Sequence, residues 1–263
     1  MAGGGFMLLF LVKKTFFDFW DNMFRIVIMN LGFIVLIGAC LYLPYLLSFN
    51  TVIAFIGAAI GIIVLNIYTG AASMAAREIA DYKTPGFADF LNFVKEIWKS
   101  SLVFSGITIV QLVILFIAFP FYLSMGGIPG LIAMSIIFWV SVVWWLASQF
   151  FFPIRTRLDS NPKKVLKKCL IVFFDNSGFS IVLGFGSILI LVVSFFTALL
   201  LPGISCILLW QQVGLKLRLY KYDFLEKNPD ANRKRIPWDV LLIDDRERVG
   251  HRTLKGMIFP WKE

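Results

Sequence analysis

The chain has 263 residues, 59% of them hydrophobic, with 28 Phe, a mean hydropathy of +0.82 and a net charge of +9. That apolar share exceeds what a soluble core absorbs, so composition excludes an ordinary soluble domain and makes lipid the solvent. The basic excess does not indicate nucleic acid, because Lys and Arg border apolar stretches and form no separate basic module; anionic lipid headgroups are the expected partner.

From the N-terminus, Met1 to Val12 carries a short apolar run followed by Lys13 and Lys14, without a small-residue cleavage site, which argues against a removed signal peptide. Phe16 to Phe24 then mixes charges with large apolar residues at helical spacing and predicts a helix lying in the membrane interface. Two apolar stretches follow, about 26–47 and about 52–76, each long enough to span and joined by a turn at Phe49-Asn50. Within the second, Gly57 and Gly61 form a GxxxG that lets another helix approach closely, as does the run Gly70 to Ser73.

Phe87 to Trp98 predicts a second interfacial helix, with Phe87, Phe90, Leu91, Val94 and Trp98 on one face. Spans three and four run about 102–123 and 131–152 around the turn Met125 to Gly130. Val165 to Phe174 predicts a third interfacial helix, before spans at about 179–201 and 204–217. The sixth is short and is expected to extend through Lys216, Arg218 and Lys221 with their stems reaching to the interface. Pro44, Pro120 and Pro202 recur near the outer end of the hairpins, as in a threefold repeat.

All Lys, Arg, Asp and Glu fall outside the three turns near Ser48–Thr51, Ser124–Gly130 and Pro202–Gly203. This asymmetry predicts cytoplasmic charged segments and cytoplasmic N- and C-termini. The expected fold class is all-α: a polytopic membrane helical bundle of six transmembrane helices in three hairpins, each preceded by an amphipathic interfacial helix. It divides into a transmembrane domain over residues 1–222 and a cytoplasmic tail over 223–263. That tail is too short for an independent core, so it should dock on its own bundle or on a membrane or cytoplasmic protein. Expected contacts to lipid or partner are Trp98, Lys163, Lys164, Lys167, Lys168, Trp238, Phe259 and Trp261, the last within an anchoring Ile258 to Lys262.

Chemistry-bearing residues are sparse. Ionisable groups at membrane depth would mark a pump or an enzyme, and the spans carry neutral polar groups instead: Asn30, Asn66, Thr69, Thr108, Gln111, Gln149, Gln211 and Gln212. Asn66, Gln111, Gln211 and Gln212 either line a path for an uncharged solute or hydrogen-bond between helices at about 0.6 kcal/mol per contact. Cys40, Cys169 and Cys206 read as packing residues. His251 is the single histidine, the pair Asp244-Asp245 is compensated by flanking Arg and Lys, and no P-loop, HExxH or CxxC appears. No cofactor, metal or catalytic residue is expected; an enzyme using Asp89, Glu96 or Asp175 ranks last.

Trp20, Asn30 and Pro44, then Gly70 to Ala76, then Phe87 to Phe93 and Trp98, resemble the pattern of the YesL-like bacterial membrane proteins over roughly the first 100 residues. The resemblance implies a multi-span protein of the bacterial cytoplasmic membrane, from a family of uncharacterised role often regarded as accessory to carbohydrate uptake systems. It carries over no catalytic residues. The function expected first is therefore a non-catalytic scaffold or accessory subunit of a membrane complex, ahead of a permease or channel subunit for an uncharged solute and of a lipid-active enzyme.

Overall fold

A computed structural model describes residues 2–233, 236–250 and 252, with side chains from residue 5 onward. Among the described residues the chain is all-helical, and five helical stretches are long and apolar enough to cross a membrane. The protein is thus a multi-pass helical membrane protein. Phe259 and Trp261 lie outside the described residues.

Helix α1 (Ala2–Asp21) ends at Asn22, whose side-chain amide donates to the Asp18 carbonyl at 3.0 Å, and α2 (Met23–Leu46) begins immediately after. The turn into α3 (Thr51–Ala80) is capped by Asn50, whose Oδ1 accepts from the Val52 and Ile53 N–H groups. A Cβ built on Gly57 would meet Leu47 at 2.6 Å and one on Gly61 would meet Cys40 at 3.0 Å, so α2 and α3 approach closely at both glycines.

The second expected interfacial helix is not a separate element. Helix α4 (Phe87–Val113) starts at Gly86, capped by Asp89, and continues unbroken from Trp98 into the span. Nothing in Lys99-Ser100-Ser101 interrupts the ladder, whereas Asn22 and Asn176 break it at the other two sites. A π turn (Ile114–Ala118) leads into α5 (Phe119–Met125); Pro120 lacks the N–H that a regular turn would use there, and a widened turn accommodates its ring. Helix α6 (Gly127–Ser148) returns and is extended by α7 (Phe151–Arg157). Helix α8 (Pro162–Asp175) buries Val165, Cys169, Val172 and Phe173 and leaves Lys163, Lys164 and Lys167 exposed.

Helices α9 (Ser177–Phe195) and α10 (Gly203–Lys227) depart most from expectation. Helix α10 packs against α1, α2, α3, α7 and α9 and is enclosed by them over much of its length. Because protein surrounds it, it tolerates Gln212 and Lys216, which a lipid-facing helix of this length would not. Lys216 points inward to the Ala80 carbonyl at 3.1 Å, not outward along its stem to the interface.

The turn between α9 and α10 is held by Asn30. Its Nδ2 donates to the Leu200 and Pro202 carbonyls, both at 2.9 Å, and its Oδ1 accepts from the Ser205 N–H at 2.9 Å. Between Asn30 and Leu46 lies about 24 Å of helix at about 1.5 Å per residue. The third turn therefore sits well short of the first along α2, and the three expected hairpins do not share one outer level.

Short helices α11 (Trp238–Leu241) and α12 (Ile243–Val249) return the tail to α1, burying Trp238, Leu242 and Val249. Residues 236–250 are thus part of the bundle, and Trp238 faces its own chain, not lipid or a partner.

Candidate functional site

The end of α3 organises the charged end of the molecule. Tyr82 donates its N–H to the Ile79 carbonyl and Lys83 donates to Glu78, a closure that puts Tyr82 in the left-handed region at φ 61°. Glycine ordinarily fills such a position, and a side chain there costs about 1–2 kcal/mol. The ring accounts for the choice: Lys14 Nζ stands 3.6 Å and Lys216 Nζ 5.1 Å from its centroid.

The Tyr82 hydroxyl donates to Asp245 Oδ1 at 2.7 Å, and the Tyr220 hydroxyl donates to Oδ2 at 2.8 Å. Lys216 adds a bond to Oδ1 at 3.2 Å, with Lys14 at 3.9 Å. Asp245 is 4% exposed, so its carboxylate has exchanged water for two phenols and two ammonium groups. Burial alone would raise this carboxyl, but Lys216 and Lys14, with both tyrosines, outweigh it and hold the group below the usual carboxylate range. Both phenols are raised, first by burial and then by the Asp245 charge.

The network continues inward. Lys216 also pairs with Asp81 at 3.2 Å, and Arg157 grips Asp81 through both terminal nitrogens at 2.9–3.2 Å. Burial pulls Asp81 upward, and Arg157 and Lys216 bring it net below its ordinary range. Arg157 Nε donates to Gln212 Oε1 at 2.9 Å, while Gln212 Nε2 donates to the Ser73 carbonyl and hydroxyl, each at 3.0 Å, and to Thr156 Oγ1 at 2.9 Å. On the other side Lys14 meets Asp18 at 2.8 Å. Burial lowers the Lys14 ammonium against the pull of Asp18, and burial pushes the Asp18 carboxyl up to about 6 despite Lys14. One connected set of charges thus ties α1, α3, α7, α10 and α12 together.

Sequence reading missed this junction. It treats Asp245 as compensated by its neighbours in sequence, whereas its partners are remote: Lys14, Tyr82, Lys216 and Tyr220. The available signal was Tyr82 itself, a bulky residue at the helix-terminating step before Pro85-Gly86.

The expected polar lining divides. Gln212 is saturated inside the junction, and Gln211 is half-buried elsewhere on α10. Asn66 and Gln111 instead line a groove of about 590 Å³ between α3, α4 and α6. Gln149, which caps the end of α6, is occupied by the Leu146 and Ser180 carbonyls, both at 2.8 Å. Of the expected outer contacts, Trp98 is 43% exposed and Lys168 pairs with Asp159 at 3.2 Å, while Lys163, Lys164 and Lys167 face outward.

Comparison of the chain with protein-family models, with curated proteins and with solved structures found no match to any of them.

Proposed function

We propose that the protein is a non-catalytic scaffold or accessory subunit of a membrane complex, presenting a rigid charged face assembled from segments distant in sequence. The observation that carries this reading is the Asp245 junction. A carboxylate from the tail engages Lys14, Tyr82, Lys216 and Tyr220, so α1 and α12 are fastened to the same end of the bundle. Both oxygens of Asp245 are engaged, which suits a tie more than a proton-transfer base. The resemblance to YesL-like proteins points the same way, towards an accessory of a bacterial uptake system.

The positive-inside rule puts this end in the cytoplasm, with the exposed lysines of α8 against anionic headgroups. With α1 and α12 at one end, the chain between them makes an even number of crossings. Six satisfies this, but the anchoring of the third turn at Asn30 favours four full crossings, α2, α3, α4–α5 and α6–α7. Helices α9 and α10 then form a re-entrant hairpin that enters and leaves on the charged side.

Pull-down from mild detergent tests the scaffold reading. Removing residues 253–263, which keeps Lys14, Tyr82, Lys216, Tyr220 and Asp245, should weaken partner capture, and Asp245→Ala should abolish it. Capture equal to wild type in both variants would sink the reading. An uncharged-solute permease is supported only by Asn66 and Gln111, and liposome flux of a neutral solute would favour it.

A further inference from the structure

The two arms of the second hairpin meet through α5 and α6 at the turn and then part. At the other end the gap closes where Phe104 stacks on Phe151 at 4.6 Å and meets Phe152 at 5.0 Å between ring centroids. Between these closures lies the groove of about 590 Å³, within the span of about 300–1,000 Å³ usual for small-molecule sites.

Its lining follows helical spacing on both arms: Thr108, Gln111 and Leu115 on one, Ser141, Trp145 and Ser148 on the other, with Asn66 of α3 behind. Leu115 belongs to the π turn, an irregularity that recurs at functional positions in helices. Thr108 and Ser148 satisfy themselves on the Phe104 and Trp145 carbonyls. The side chains of Asn66, Gln111 and Ser141 have no hydrogen-bond partner among the described residues, and none of the three is fully buried. Gln111 and Ser141 lie at one level, each about 21 Å along its helix from their shared turn at about 1.5 Å per residue, and Asn66 lines the same groove nearer its Phe104 end. Two amides inside an apolar span, open to a common space, need a hydrogen-bonding guest there.

Among the described residues no Lys, Arg, His, Asp or Glu lines the groove. A phosphate at this depth would have no counter-charge, so an ordinary phospholipid headgroup is disfavoured. A neutral lipid without a charged headgroup can sink its glycerol portion below the interface while its chains remain in hydrocarbon. We infer that the groove between the arms of the second hairpin is a binding site for a neutral glycerolipid of the diacylglycerol type, its hydroxyl and ester carbonyls paired with Asn66, Gln111 and Ser141.

The test uses the full chain in phosphatidylcholine nanodiscs containing a photoactivatable diacylglycerol, with crosslinked peptides read by mass spectrometry. Labelling should concentrate on the peptides containing Gln111 and Ser141 and fall at least fivefold with excess unlabelled diacylglycerol, but not with phosphatidic acid or free glycerol. Asn66→Leu with Gln111→Leu should lower labelling to a similar degree. Ser141→Phe, which fills the gap from the opposite arm, serves if the amide variants misfold. Labelling unchanged in the folded variants, equal competition by phosphatidic acid or by glycerol, or a Ser141→Cys crosslink to a second copy of the chain would each overturn the proposal.

Discussion

Lys216 of α10 and Asp245 of α12 face one another at 3.2 Å, both largely withdrawn from solvent, and this contact joins the tail to the centre of the bundle. Breaking a buried pair by deleting one partner costs about 3–5 kcal/mol, because the other charge stays behind uncompensated. Asp245→Ala should therefore release the tail: amide exchange over Trp238–Val249 should rise at least tenfold, with little change in α2. Exchange rates like those of wild type would show that Trp238 and Leu242 hold the tail without the ion pair.

Protonation at the junction is expected to run in two opposite directions. Asp18, pushed up to about 6 by burial, takes up a proton when folded at a pH where an unfolded carboxyl, near about 3.9, does not. It weakens the fold above about pH 6, and that penalty fades as pH falls through this value. Asp245 and Asp81 are depressed, so their contribution is present above about 3.9 and is lost as pH drops through their folded values. Unfolding temperatures in detergent should thus show wild type gaining on Asp18→Asn between pH 7 and pH 5. A constant difference between the two would refute the assignment.

Replacing Asn30 tests the anchored turn. Asn30→Leu keeps the volume but strands the Leu200 and Pro202 carbonyls and the Ser205 N–H, each a loss of about 1–3 kcal/mol if it finds no water. A clear drop in thermal stability is expected, measured by loss of the monodisperse peak after heating.

Depth of the third turn can be read by labelling. With a membrane-impermeant maleimide applied to the uncharged face of oriented vesicles, Phe49→Cys should react and Leu199→Cys should not. Equal reaction at both would restore six full crossings.

Close packing at the small-residue run predicts a contrast between two glycines. A Cβ on Gly70 would meet Ser101 at 2.7 Å and Ile97 at 2.8 Å, whereas one on Gly106 meets nothing within 4 Å. Gly70→Leu should destabilise by about 1–3 kcal/mol through overpacking, and Gly106→Ala should be neutral or mildly stabilising. Denaturation in mixed micelles would check both.

Helix content, the turns after α2 and α5 and the amphipathic face of α8 were legible in the chain, because each depends on hydropathy period and on local breakers such as Asn50 and Gly126-Gly127, whereas the break at Asn22 falls inside the helix expected over Phe16–Phe24. Charge segregation was equally legible, since lipid penalises ions wherever the fold puts them. What tertiary structure decided was which polar groups meet. Asp245 finds Tyr82 across 163 positions and Asn30 finds Leu200 across 170, separations over which no periodicity carries information. The same holds for α10: its residues look too polar and too few for a span, and only its enclosure by other helices explains why Gln212 and Lys216 are stable there. Hydropathy reports what a helix can tolerate from lipid, and a helix surrounded by protein is no longer subject to that test.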